Sequence, residues 1–258
     1  QLSKPAGSAA VEYMIRRGIS PQVAKRFGLG AAPDSWDALR SAMRQKGYSD
    51  FDMFDAGLVK RGKNGGFYDM FRNRLMFPVI DVRGDVVAFG SRVLDKSEPK
   101  YMNSPETPIY SKRRVLYGLN LAKKSKLGYL ILVEGYMDAI ALHQYGFDCA
   151  VASLGTSLTE EHAALLSRYT EQVYLIYDAD EAGQRAAQRA IPMLERAGLR
   201  IKVLKVRDAK DPDEFLKKFG PDKFKILLEE SSNRVEYQLN AIRSKYDIRE
   251  DDQKIRYV

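Results

Sequence analysis

The chain has 258 residues, enough to bury a sizeable core as one large domain or two modest ones. Its 42 Lys and Arg exceed its 34 Asp and Glu, for a net charge of +8, a balance that suits a polyanionic partner. No apolar stretch approaches membrane-spanning length, Gln1 to Ala10 lacks the apolar core of a secretory signal, and the single Cys149 excludes an internal disulfide framework or a cysteine-rich zinc module, pointing to a soluble protein of a reducing compartment.

The amino end has no initiator Met and reads as the edge of an excised fragment. The first part of the chain mixes short helical patterns with Gly-rich turns. Leu75 to Asp81 and Val86 to Gly90 then alternate around the turn Val82-Arg83-Gly84-Asp85, which predicts an antiparallel hairpin. Pro99 to Pro108 is rich in Pro, Asn and Ser and predicts a loop, followed by the basic run Lys112-Arg113-Arg114.

From about Leu127 strand and helix signals alternate. Tyr129 to Val133, Cys149 to Leu154, Gln172 to Tyr177 and Arg200 to Val206 read as strands. Helices are predicted from Met137 to Tyr145, stopped by Gly146, from an N-cap at Thr159 to Tyr169, and from Glu181 to Ala197, stopped by Gly198. This spacing predicts parallel crossovers in a compact sheet. After Asp213 a charged helical pattern runs through Phe215 to Glu230 and on to about Tyr246, and the last residues read as a second cut edge.

Acids recur where the apolar runs end, at Glu134, at Asp178 and Asp180, at Asp208, and at Asp211 and Asp213. Ligands of open α/β sheets gather at the carboxyl ends of the strands. If the third strand continues through Asp180, Asp178 and Asp180 point to one side, and two hard oxygen donors converge without filling the coordination sphere of a divalent ion. Asp211 and Asp213 repeat the spacing around Pro212, which favours a rigid turn, although Asp213 reads equally as a helix N-cap. Glu134 precedes Gly135, whose missing side chain permits close approach of a ligand, and its carboxylate suits metal ligation or proton transfer.

Other residues carry blander readings. Cys149 reads as a small buried strand residue, His143 and His162 as structural or surface residues, and Lys123 to Lys126 as a solvated face. The basic residues before the sheet are more suggestive: Arg72, Arg74, Arg83, Arg92, Lys100, Lys112, Arg113 and Arg114 are interleaved with Phe67, Tyr68, Phe71, Tyr101 and Tyr110. Cations neutralise phosphates and aromatic faces stack on unpaired bases, so a single-strand groove is expected.

Val133-Glu134-Gly135-Tyr136-Met137-Asp138, Val151-Ala152-Ser153-Leu154-Gly155-Thr156, Tyr177-Asp178-Ala179-Asp180-Glu181-Ala182-Gly183 and Asp211-Pro212-Asp213-Glu214 together resemble the Toprim domain of bacterial replicative primases, the DnaG family. Upstream, Phe71-Arg72-Asn73-Arg74-Leu75-Met76-Phe77-Pro78, Ala88 to Leu94 and Lys100 to Thr107 look like that family's basic amino-terminal subdomain. The resemblance covers nearly the whole chain.

It implies an α/β fold in which a Toprim-type compact parallel sheet flanked by helices (127–213) follows a mixed α+β basic subdomain for single-stranded template (1–126) and precedes a helical subdomain (214–258). It implies synthesis of short RNA primers from ribonucleoside triphosphates on single-stranded DNA, by attack of a 3′-hydroxyl on an α-phosphate with Mg²⁺ or Mn²⁺, two or more ions. Glu134, Asp178, Asp180, Asp211 and Asp213 would be the metal acids, the first three also catalytic, with Asp138 a further member. Arg92, Lys100, Asn103 and Lys112 would face nucleotide or template, and Arg72 and Arg74 would guide the strand. The family's zinc-binding and helicase-binding domains are expected to be missing, and the place of action is the cytoplasm, at the replication fork and nucleoid, away from membranes. Rival readings are a Toprim nuclease using the same acids on a phosphodiester, and a non-catalytic single-strand binding module.

Overall fold

A computed structural model describes residues 2–155, 157–177, 180–206 and 208–233. The chain opens with helices α1 (Ser8–Arg16) and α2 (Pro21–Arg26), strand β1 (Gly30–Ala32), and helices α3 (Ala38–Arg44) and α4 (Asp50–Asp55). Strands β2 (Val59–Arg61) and β3 (Phe67–Asp69) pair with each other. β4 (Arg74–Ile80), β5 (Val86–Val93) and β6 (Tyr101–Asn103) join β1 in an antiparallel sheet of order β1-β4-β5-β6. The expected hairpin is therefore present. Its turn is held by Asp81, whose Oδ1 accepts from the backbone N–H of Arg83, Gly84 and Asp85 at 2.9 to 3.0 Å. The segment expected as a loop from Pro99 to Pro108 instead contributes β6, because its few backbone groups complete the edge of β5 and pairing needs no strand-like side chains.

The second half is an α/β layer: α5 (Leu119–Ala122), β7 (Leu130–Val133), α6 (Tyr136–Gln144), β8 (Ala150–Ala152), α7 (Glu160–Leu166), β9 (Gln172–Leu175), α8 (Glu181–Arg196), β10 (Arg200–Val203), α9 (Pro212–Glu229) and β11 (Ser232–Asn233). The sheet order is β11-β10-β9-β7-β8, with β10, β9, β7 and β8 parallel and β11 antiparallel at one edge. Leu130 to Val133 are buried without exception, as a strand covered on both faces must be. On α8 the buried positions Gly183, Ala187, Ala190, Ile191 and Leu194 fall on one helical stripe, leaving Arg and Gln outward.

β7 ends at Val133 as expected, but β8, β9 and β10 end two to three residues earlier than their apolar runs suggest, since Leu154, Ile176, Tyr177, Leu204 and Val206 are buried in the loops beyond them. In α9 Gly220 (φ +80°) breaks the helix and Pro221 restarts it, a conformation that glycine accepts without steric cost. The helical pattern expected on to about Tyr246 stops instead at Glu229, because Ser232–Asn233 pair with β10 as β11; the rest of it lies outside the described residues.

One apolar core runs through both sheets, from Tyr13 and Phe27 through Leu75, Phe77 and Val79 to Ile131, Leu175 and Phe224. Its hinge is aromatic: the Tyr136 ring stacks on Phe77 with centroids 4.8 Å apart and meets Tyr117 edge-on at the same distance. A Cβ at Gly90 would come within 2.1 Å of the Tyr136 hydroxyl oxygen, so only glycine lets β5 lie against the start of α6. Tyr117 and Ala152 exchange both backbone hydrogen bonds and seal the junction at β8. No helix among the described residues is long and apolar enough to cross a membrane.

Candidate active site at the strand ends

The register of the parallel sheet sets Val133 opposite Ala152, Leu132 opposite Leu175, and Leu175 opposite Val203, so all four strands finish along one edge. The loops that leave this edge carry Glu134 after β7, Ser153 and Leu154 after β8, Asp180 after β9, and Asp208 and Asp211 after β10. Glu134 is half-buried, and its charge, after the larger effect of burial, pushes the neighbouring Tyr177 phenol up, while Ser153 hydrogen-bonds that phenol. The next residue, Gly135, caps α6, and a Cβ there would lie 2.8 Å from Asp138 Oδ2. The space expected for a ligand beside Gly135 is thus taken by the Asp138 carboxylate, at the positive end of the helix.

Asp178 lies outside the described residues. Asp180 does not extend the strand, which ends at Leu175. It is the N-cap of α8, and its Oδ1 accepts from the Gly183 N–H at 2.8 Å. Likewise Asp211 caps α9, accepting from the Glu214 N–H at 2.8 Å, with Pro212 at the first helical position. The cap that the pattern offered to Asp213 therefore belongs to Asp211.

Asp213 turns inward. It is buried and paired with Arg17, at the end of α1, and with Lys217 Nζ at 2.8 Å. Among the described residues no three His, Cys, Asp or Glu side chains converge to hold an ion. Glu134, Asp180 and Asp211 are hard oxygen donors on one edge and fit a divalent cation in chemistry, whereas Asp213 is committed to two cationic side chains.

From the first sheet, β6 reaches this edge through Tyr101, which feels Asp138, and Asn103. Arg92 on β5 is half-buried, donates through Nη1 to the Tyr101 hydroxyl at 2.9 Å, and lies over the rings of Tyr13 and Tyr101. Tyr101 in turn feels Asp138 and Arg17, although burial dominates the rise of its phenol. Asn103 spans the junction, accepting from the Tyr136 hydroxyl at 2.6 Å and donating to the Leu154 carbonyl at 2.8 Å. Leu154 holds φ +63°, an uncommon conformation for a leucine. Lys100 is exposed and Lys112 half-buried. Arg72 donates to the Asp69 carbonyl and stacks on Trp36 at 3.9 Å. Arg74, expected to guide a strand, is instead buried, with Nη2 donating to the Pro99 carbonyl at 2.9 Å and burial lowering its pKa.

The chain carrying this edge matches known proteins along nearly its whole length. Residues 1–123 match the DNA primase catalytic core, N-terminal domain, and residues 131–216 match the Toprim-like family. The DnaG primase catalytic domain solved bound to ssDNA superposes with a TM-score of 0.87 at 38% identity, covering 99% of this chain and 84% of that one. The chain belongs to the DnaG primase catalytic-core family. A DNA primase domain from Pseudomonas aeruginosa superposes with a TM-score of 0.88 at 38% identity, over 99% of this chain and 82% of that one. Among full-length relatives, the DNA primase of Clostridium acetobutylicum is 48% identical over 254 residues, 98% of this chain and 42% of the relative. That of Escherichia coli K12 is 40% identical over 263 residues, 99% of this chain and 45% of the relative. The chain thus spans less than half the length of these curated relatives.

Membership of the DnaG family carries divalent-metal use in general. Sequence reasoning missed the parts played by Arg17, Tyr13 and Tyr136 beside the strand ends and by Trp36, which stacks under Arg72. Arg17 had no local signal, being a basic residue before a helix-stopping Gly18. Tyr136 had one, inside the Glu134-to-Asp138 motif, but its role depends on Gly90 and Asn103 far away in the chain.

Proposed function

We propose that the chain is the RNA-synthesising core of a DNA primase, joining ribonucleoside triphosphates into a short RNA primer on a single-stranded DNA template. The observation that carries this reading is the joining of the acid-bearing strand ends of the parallel sheet to the antiparallel one, where Asn103 bridges Tyr136 and Leu154 and Arg92 packs on Tyr101, on a shared core and not in separate modules. A nuclease needs the acids but no dedicated nucleotide wall, and a binding module needs the wall but no acids.

On this reading Glu134, Asp178, Asp180 and Asp211 hold Mg²⁺ or Mn²⁺, two or more ions. When bound, the ions would neutralise phosphate charge and acidify the attacking hydroxyl. Glu134, half-buried at the end of a rigid strand, is the acid best placed to take a proton from that hydroxyl. Arg92, Lys100 and Lys112 bind triphosphate oxygens. Asn103, locked between Tyr136 and Leu154, orients the nucleotide by setting the spacing of the two walls. Asp138 keeps the first turn of α6 in place beside Gly135. Arg72, stacked on Trp36, meets the template, while Arg74 holds the β4 and β6 segments that present it. Asp213 serves as the anchor of Arg17, a role in which it reaches metal only by leaving that partner.

The proposed subdivision is template binding in 1–126, catalysis in 127–213, and a helical remainder in 214–258. The place of action is the replication fork at the nucleoid, with a replicative helicase as partner of the longer protein. The test is incorporation of labelled ribonucleotides on single-stranded DNA, with and without divalent metal, by the chain and by Glu134→Gln and Asp178→Asn. Metal- and template-dependent oligoribonucleotides, reduced at least about a hundredfold in both variants, are expected. Degradation of the strand without nucleotides would replace this reading by the nuclease, and DNA binding without synthesis, unchanged in both variants, by the binding module.

A further inference from the structure

The turn that carries Lys112 has little structure of its own. Three consecutive cations, Lys112, Arg113 and Arg114, repel one another, and the segment joins no strand or helix. Its backbone is held by the first turn of α7, some fifty residues on in the chain. His162 is fully buried there, with Nε2 at 2.8 Å from the Lys112 carbonyl oxygen and 3.2 Å from that of Val115. Carbonyl oxygens only accept, so Nε2 carries the hydrogen and serves both.

Thr159, the N-cap of α7, donates its hydroxyl to the Arg113 carbonyl at 2.8 Å while accepting from the His162 N–H at 3.1 Å. The Arg113 guanidinium meets Glu161 at 3.0 Å, and the Lys112 N–H donates to Glu106 Oε1 at 2.8 Å. The carbonyls of residues 112, 113 and 115 are thus all claimed by two side chains of one helical turn. His162 Nδ1 is buried without a hydrogen-bond partner, so the ring carries an uncompensated polar atom that an apolar residue would avoid. Burial also lowers the imidazole pKa, favouring the neutral ring, and the two carbonyl acceptors fix its Nε2–H tautomer.

We propose that His162 is a positioning residue for Lys112: through the Lys112 and Val115 carbonyls it fixes the direction from which the Lys112 ammonium enters the nucleotide side of the cleft. The proposal rests on the reading of Lys112 as a triphosphate ligand and adds a support for it from α7. Thr159 is the second clamp on the same turn.

The experiment compares His162→Leu, which fills the space without a donor, with His162→Gln, whose amide N–H reaches the same carbonyls, each alone and combined with Lys112→Ala. Binding of labelled ATP with magnesium is measured by equilibrium dialysis, and the rate of trypsin cleavage after residues 112 to 114 reports on the turn itself. His162→Leu is expected to weaken ATP binding about tenfold and to speed cleavage, with His162→Gln within about threefold of the parent. In the Lys112→Ala background His162→Leu should change ATP binding by less than about twofold.

Equal losses with and without Lys112, or unchanged cleavage and binding in His162→Leu, overturn the positioning role while leaving the reading of Lys112 intact. Faster cleavage with ATP binding indifferent to Lys112→Ala overturns that reading and the positioning role with it. Should His162→Leu not fold, His162→Asn, too short to reach both carbonyls, takes its place against His162→Gln with the same outcomes.

Discussion

Asp213 shows how one side chain can share a motif with metal-binding acids and yet do other work. Its carboxylate is almost fully buried, and a buried charge is tolerated only with a partner. Lys217 comes from the same helix, one turn on, and Arg17 comes from α1 at the far end of the sequence. Removing Arg17 leaves the carboxylate half-compensated in a site that water reaches poorly. Arg17 keeps about a third of its side chain exposed, so solvent screens part of the interaction. Arg17→Met is therefore expected to cost about 1–2 kcal/mol in urea unfolding, and adding Asp213→Asn should recover part of that loss because the stranded charge goes with it. An Arg17→Met protein as stable as the parent would show that Lys217 suffices. None of this was legible in Asp211-Pro212-Asp213, whose spacing reads the same whether both acids face a ligand or one turns into the core.

At the scale of elements, two of the expected metal acids also build the helices behind them. Asp180 starts α8 and Asp211 starts α9, each accepting a backbone N–H three residues on. Asparagine caps as well as aspartate but carries no charge. Asp180→Asn and Asp211→Asn are accordingly expected to stay within about 0.5 kcal/mol of the parent in stability while losing metal-dependent ribonucleotide incorporation. The alanine variants lose that activity and about 1 kcal/mol of stability besides. Retained incorporation in both asparagine variants would remove these acids from the metal site. The sequence made the sheet readable because Leu130 to Val133 and its counterparts are continuous apolar runs, a pattern that a strand buried on both faces requires. It hid β6 and β11, short edge strands whose pairing comes from a neighbour's free backbone groups and not from their own side chains. It also overran the ends of β9 and β10, since the residues just past a strand can be as buried as those within it.

Across the whole molecule the two sheets share one core, so a titration in that core is felt as global stability. His143 lies at the junction, edge-on to Phe27 with ring centroids 4.9 Å apart, its Nε2 donating to the Ala150 carbonyl at 2.9 Å. Burial pushes its pKa down from 6.5 to about 4, with the Ala150 hydrogen bond opposing the shift only in part. The unfolded chain therefore binds a proton that the folded chain refuses between about pH 6.5 and 4. The stability tied to the neutral ring is complete above pH 6.5 and drains as the pH falls toward 4. From pH 7 to pH 5 the loss from this one group is about 2 kcal/mol, in a window that lies above most carboxylate titration. His162 adds a loss of the same sign, since burial lowers its pKa too. Urea unfolding at pH 7, 6 and 5 checks this: the parent should weaken steadily, while His143→Gln, which keeps a donor for Ala150 but cannot titrate, should start lower and fall less steeply. Parallel slopes for the two proteins would mean that the junction lets His143 protonate without unfolding, and that the shared core is looser there than its packing indicates.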